Sequence, residues 1–237
     1  VQTPDLLRAL AADPPATALL LDVDGTLAPI VARPADASVP DATRVELRRL
    51  HRLYGLVACI SGRPGEDAQR VVGLPELTYV GEHGLELVPE ARAWAPRVAA
   101  LAEAVDREAE RKPLTVTFHF REDADEESAL RELEAVADRA RAAGLVPRWG
   151  RKVLEVRPPV AADKGTAVRA LLGRARLRRA LYAGDDATDL DAFAALDGLD
   201  LAVKLAVVSD ESPAGLREAA NLTVRDPSEL LEVLRRL

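Results

Sequence analysis

The 237-residue sequence contains no methionine, one cysteine, three histidines and only 3% aromatic residues. A single thiol, Cys59, cannot close an internal disulfide or build a thiolate zinc site, which removes both classes of stapled small fold. No run of 18 apolar residues occurs, and the first thirty residues lack the basic-then-apolar order of a signal peptide. The expectation is a soluble, cytoplasmic protein. An excess of basic charge is missing too: 32 Lys and Arg stand against 39 Asp and Glu, a net charge of -7. That balance argues against nucleic acid or an anionic membrane as partner. No feature calls for an obligate protein partner.

What the chain does have is alanine, 43 residues of it, which favours long helices packed closely on a modest sheet. Its length suits one large domain or two modest ones. Short apolar runs at 16–21, 56–60 and 77–81 read as buried strands, each ending in a polar tip. Apolar residues at helical spacing over 41–53, with Asp41 as N-cap, place a helix between the first two. Alternating strands and helices of this kind indicate an α/β layer architecture.

The middle of the chain reads differently. Helices are expected over 96–111 and 125–143, with strands over 114–121, 145–149 and 153–157, the last two joined by a hairpin link at 150–152. That is an α+β pattern, so an inserted domain is placed at 86–158 between two halves of a core, 1–85 and 159–237. The first pattern resumes with a helix from Lys164, a strand over 179–183 and a helix over 188–195. Leu201–Leu205 and Leu222–Val224 read as edge strands, and a terminal helix over 227–237 is capped by Asp226.

Three strand ends carry the chemistry: Asp22 and Asp24, then Ser61 and Gly62, then Asp185, Asp186 and Asp189. In a parallel sheet the carboxyl ends of the strands share one edge, where ligands bind. Carboxylates gathered there repel unless a cation sits among them, and an oxygen-rich set suits Mg²⁺. Lys164 at a helix start, the Ser61 hydroxyl and the amides of Gly25 and Gly62 complete a phosphate cradle. The inventory reads as phosphoryl transfer through an aspartyl phosphate. Asp22 would attack phosphorus, and Asp24 would protonate the leaving oxygen and then deprotonate the hydrolytic water.

The stretches 21–27 (LDVDGTL), 60–63 (ISGR), 163–165 (DKG) and 184–189 (GDDATD) resemble the four motifs of the haloacid-dehalogenase-like phosphatases. More narrowly, 22–29, 61–63, 81–84, 119–121, 150–158 and 184–193 are similar to the trehalose-6-phosphate phosphatase family. The likeness runs from about Leu19 to the end. Leu190 departs from it, standing where that family has an acidic residue.

The resemblance implies a Rossmannoid parallel-sheet core with an inserted α+β cap of the C2 type, closing over the core during transfer. It implies Mg²⁺ held by the Asp22 side chain, the Asp24 backbone carbonyl and Asp185, with Asp186 and Asp189 in support. It also implies that Ser61 and Lys164 hold the phosphoryl group. Sugar readers would be Arg121, Arg151, Lys152, Glu155 and Arg157 of the cap, with Arg63 and His83 from the core rim. Period 2 along 153–157 puts Val153, Glu155 and Arg157 on one face and Leu154 and Val156 on the other. The expected activity is Mg²⁺-dependent hydrolysis of trehalose 6-phosphate. The rival is another sugar phosphate, such as sucrose phosphate or mannosylglycerate phosphate, since the core motifs handle only the phosphoryl group.

Overall fold

The computed structural model describes residues 3–120, 123, 125–150, 152–209 and 212–237. The chain begins with α1 (Thr3–Ala11), β1 (Thr17–Leu21), α2 (Asp41–Leu53), β2 (Leu56–Ile60), α3 (Gly65–Val72) and β3 (Thr78–Val80). An insertion follows, made of α4 (Pro89–Arg92), α5 (Ala95–Glu103), β4 (Glu110–Arg111), β5 (Val116–His119), α6 (Glu126–Ala142), β6 (Val146–Gly150) and β7 (Val153–Arg157). The chain then runs through α7 (Lys164–Ala175), β8 (Arg179–Gly184), α8 (Asp189–Ala195), β9 (Leu201–Val207), α9 (Leu216–Ala219), β10 (Leu222–Val224) and α10 (Pro227–Leu234). By internal packing there are two compact units: Val1–Leu87 with Ala162–Leu237, and Val88–Ala161.

The first unit is built on a six-stranded parallel sheet in the order β10-β9-β8-β1-β2-β3. Its central strands are mostly apolar because helices cover both faces, with Thr17, Arg179 and Tyr182 as the polar members of β1 and β8, and period 2 sorts their side chains. Leu19, Leu21, Val57, Cys59, Leu181 and Ala183 pack with Leu10, Leu47, Leu50 and Leu234. Ala18, Leu20, Ala58, Ile60, Ala180 and Tyr182 pack on the other side with Val168, Leu171 and Phe193. Truncating a side chain such as Leu20 here would cost about 2–5 kcal/mol, through lost burial and the cavity left behind. Cys59 is wholly buried, and burial pushes its thiol far up, so it is inert core.

The second unit is a four-stranded antiparallel sheet in the order β4-β5-β7-β6. Val116, Phe118, Leu154 and Val156 pack on Val98, Leu101, Leu133 and Val136 of the helices. The α+β pattern is therefore real, and Leu154 and Val156 take the helix-facing side.

Four local expectations change. The helix expected to reach Arg111 stops at Glu103, because Glu110 and Arg111 pair with Thr117 and Val116 around a turn closed by Lys112 N–H to Thr115 O at 2.9 Å. A charged segment without an apolar stripe satisfies its backbone better in that ladder. Pro40, in extended geometry, is the N-cap of α2; Asp41 sits in the first turn, where its charge meets the helix dipole. β9 lies inside the sheet, leaving β10 at the edge. Helix α1 has no counterpart in the sequence reading, yet Leu7 and Leu10 enter the core.

Candidate active site

The site grows from the carboxyl ends of β1 and β8, which are neighbours with Leu21 opposite Ala183. Asp22 N–H continues the ladder to Ala183 O at 2.9 Å, so the carboxylate leaves the sheet beside Gly184 and Asp185. The chain then turns sharply, with Gly25 at φ +80°. A Cβ on Gly25 would stand 2.1 Å from Asp185 Oδ2, so only glycine admits both the turn and that carboxylate. The Thr26 hydroxyl lies 3.1 Å from Asp185 Oδ1 and 3.4 Å from Asp22 Oδ2, able to donate to one at a time.

Lys164 arrives from the first turn of α7, whose N-terminus Asp163 and Thr166 close in a capping box. Its Nζ bridges Asp22 Oδ1 and Asp189 Oδ1, at 2.7 Å each, with all three residues buried. Asp189 Oδ1 also accepts the Tyr182 hydroxyl at 2.7 Å, and its Oδ2 accepts Asp185 N–H and Asp186 N–H at 2.9 Å each. Those four donors fill the acceptor positions of the carboxylate. The close approach requires Gly184, whose Cβ would meet Asp189 Cγ at 2.2 Å.

From β2 comes Ser61, buried, with its Oγ accepting Arg63 N–H at 3.1 Å. Arg63 extends its fork to Asp24, Nε to Oδ2 at 2.6 Å and Nη2 to Oδ1 at 2.7 Å. The turn after β3 supports this loop: Glu82 N–H donates to Arg63 O and His83 N–H to Ser61 O. Glu82 and His83 both adopt positive φ, 48° and 54°. The His83 ring lies against Gly62, where a Cβ would be 2.6 Å from Cε1. Glu86 ties the two loops together by accepting Gly65 N–H at 2.7 Å and Gly81 N–H at 2.8 Å.

Electrostatically the cluster is short of positive charge. Asp22, Asp185 and Asp189 bring ligand atoms within 4.8 Å of one another, against one ammonium from Lys164. Burial pushes the Asp22 carboxyl well up despite Lys164, with Asp189 and Asp185 adding to the rise. Burial, then Asp189, raises Asp185 to about 6. Burial works against the charged Lys164, but Asp189 and Asp22 outweigh it and hold the ammonium above its ordinary range. Three carboxylates and one ammonium leave two negative charges unbalanced, which fits a hard divalent cation bound by oxygen. With Asp189 saturated by its donors, the oxygens open to such an ion belong to Asp22 and Asp185.

Of the candidate residues, Asp22, Asp24, Gly25, Ser61, Gly62, Arg63, His83, Lys164, Asp185 and Asp189 gather around this one edge. Asp186 does not join the acidic group: it is exposed and its Oδ1 accepts Ala187 N–H at 2.7 Å. In the second unit Lys152 Nζ pairs with Glu126 Oε2 at 2.5 Å, and Glu155 is half-buried in register with Thr117 and Arg148. Arg157 is only 3% exposed. Arg121 and Arg151 lie outside the described residues. Tyr182, Thr26 and Glu86 went unread in the sequence. The one available signal was a phenol inside the apolar run 180–183 that leads to Gly184-Asp185.

The trehalose-phosphatase family model matches residues 20–107 and 106–228. The chain belongs to the trehalose-phosphatase family. Within it, the chain is 33% identical over 267 residues to a probable trehalose-phosphate phosphatase of Oryza sativa subsp. japonica, covering 92% of this chain and 69% of that one. It is 36% identical over 244 residues to an uncharacterized glycosyl hydrolase of Mycobacterium tuberculosis, covering 93% of this chain but spanning only 18% of that protein. Among solved structures, a trehalose-6-phosphate phosphatase related protein superposes with a TM-score of 0.69 at 25% identity, covering 92% of this chain and 95% of that one. A haloacid dehalogenase-like hydrolase from Bacteroides thetaiotaomicron shares the fold with a TM-score of 0.59 at 14% identity, covering 93% and 98%. The chain thus shares the fold of that hydrolase, a parallel-sheet unit with an inserted antiparallel-sheet unit. Among the described residues no helix is long and apolar enough to cross a membrane.

Proposed function

We propose that this trehalose-phosphatase family member hydrolyses trehalose 6-phosphate to trehalose and phosphate through a phosphoryl group carried on Asp22. The observation that supports it most is the buried bridge of Lys164 between Asp22 and Asp189 at 2.7 Å. A lysine held there aligns one carboxylate oxygen and leaves positive charge where a phosphoryl group would arrive.

In the first step an Asp22 oxygen attacks phosphorus and the bond from phosphorus to the sugar oxygen breaks. Asp24 gives its proton to the departing oxygen. In the second step Asp24 takes a proton from water, the water oxygen attacks phosphorus, and the bond to Asp22 breaks to release phosphate. Ser61, the Gly62 amide and Lys164 hold the phosphoryl oxygens. Arg63 grips both Asp24 oxygens and so sets the direction in which Asp24 faces, and it must release one of them for Asp24 to carry the proton it gives. Mg²⁺, which Asp22 and Asp185 would hold, supplies neutralising charge for the phosphoryl oxygens. Asp189 acts behind those ligands, through Lys164 and the amides of Asp185 and Asp186.

The unit Val88–Ala161 is the cap and supplies the sugar readers, with Glu155 the residue best suited to accept from sugar hydroxyls. Lys152, Arg157, Arg121 and Arg151 are the remaining candidates, with His83 on the core side. The test is a phosphate-release panel over sugar phosphates, with Mg²⁺ and with EDTA. A preference for trehalose 6-phosphate of at least about tenfold over sucrose 6-phosphate and glucose 6-phosphate is expected. A smaller preference moves the substrate to another sugar phosphate, and no release from any sugar phosphate overturns the phosphatase reading.

A further inference from the structure

We infer that Tyr182 is a positioning residue of this site, acting through Asp189 on Lys164 and the nucleophile; the inference rests on the phosphatase reading above. Tyr182 is central in β8, fully buried, and its ring meets Phe193 edge-on at 5.9 Å between centroids. Its hydroxyl does not serve the apolar packing. It passes through that layer to donate to Asp189 Oδ1 at 2.7 Å, the oxygen that also receives Lys164 Nζ.

Asp189 distributes position to the whole edge. Oδ2 fixes the amides of Asp185 and Asp186, and Oδ1 holds Lys164, which in turn holds Asp22 Oδ1 at 2.7 Å. A fully buried carboxylate favours filling every lone pair. With the phenol present, Oδ1 is shared between two donors coming from different directions, which stops the carboxylate from turning wholly toward the ammonium. Without it, the open lone pair draws Lys164 toward Asp189 and away from Asp22. The nucleophile then loses the contact that aligns it, and small misplacements of reacting groups are expensive in rate. The phenol itself touches neither substrate nor reacting atoms, so the loss should fall on turnover rather than on substrate affinity.

Tyr182→Phe removes one oxygen and keeps the ring on Phe193. The expected result is a fall in kcat of about tenfold or more with KM for trehalose 6-phosphate changed by less than about threefold. Tyr79→Phe is the matched control, since its hydroxyl donates to Leu74 O at 2.7 Å, an ordinary backbone contact. That variant should lose thermal stability without losing kcat. If Tyr182→Phe lowers only the melting temperature, or if both variants lower kcat alike, the positioning role is overturned.

A second measurement works without the variant. The chain has three tyrosines, so 3-fluorotyrosine labelling gives a short ¹⁹F spectrum. Asp189→Asn should shift the Tyr182 resonance and leave those of Tyr54 and Tyr79 in place. An unshifted Tyr182 line refutes the contact. If the wild-type chain releases no phosphate while Asp189→Asn still shifts the Tyr182 line, the phosphatase reading is refuted and the contact stands.

Discussion

Arg63 and Asp24 face each other through two parallel hydrogen bonds, Nε to Oδ2 at 2.6 Å and Nη2 to Oδ1 at 2.7 Å. They come from different strands, Asp24 from the turn after β1 and Arg63 from the loop after β2. The fork therefore ties the proposed acid and base to the loop that carries Ser61. Such a planar pair constrains direction as well as distance. Arg63, read in the sequence as a sugar contact, is placed to steer Asp24.

Breaking the fork gives the first prediction. Arg63→Ala should slow trehalose 6-phosphate hydrolysis by about 100-fold, in the range expected for impaired acid catalysis. Hydrolysis of p-nitrophenyl phosphate, whose leaving group needs little protonation, should fall much less. Equal losses on both substrates would show that Arg63 serves the phosphoryl group rather than Asp24.

Asp22→Asn should remove turnover while the circular dichroism spectrum stays unchanged. No phosphorylated protein should form with labelled substrate, whereas wild-type enzyme quenched in acid carries label. Near-normal turnover in the variant would dismiss Asp22 as nucleophile.

Metal removal should couple to pH. Burial first, and Asp189 next, raise Asp185 from 3.8 to about 6, and Asp22 rises as well. A carboxyl raised in the folded state adds stability that is complete below its unfolded value and is lost as pH climbs through the folded value. Thermal midpoints in EDTA should therefore decline from about pH 4 to about pH 6.5, and the stabilisation by Mg²⁺ should grow over the same interval. A Mg²⁺ effect independent of pH would contradict the assignment of Asp185 to the ion.

Gly25→Ala adds one methyl group at a φ of +80°, 2.1 Å from Asp185 Oδ2. Asp185 must move, and activity should drop by about 100-fold as the ligand geometry shifts. Mg²⁺ titration followed by thermal shift should show weaker binding. Wild-type Mg²⁺ affinity would mean that Asp185 does not hold the ion.

Glu155→Ala should erode discrimination between trehalose 6-phosphate and glucose 6-phosphate by about tenfold. Rates on p-nitrophenyl phosphate should hold. Parallel losses would remove Glu155 from the sugar readers.

By itself the sequence determined the layers and the edge. Apolar runs such as 56–60 and 180–183 read as strands because burial on both faces favours apolar side chains, and the polar tips mark where each strand ends. Period 2 likewise sent Leu154 and Val156 to the helix-facing side of the second sheet. Only the tertiary structure decided who pairs with whom. The charged segment at Glu110–Arg111 became a strand because β5 was there to pair with it. Asp189 and Asp186 stand three residues apart in one motif, yet one is buried under four donors and the other turns outward. Tyr182 looks like core in the sequence and reaches the site only because Asp189 folds back above it. Local patterns record burial and periodicity, whereas the sharing of one carboxylate among donors from β8, α7 and the loop between β8 and α8 depends on distances that exist only once the sheet is assembled.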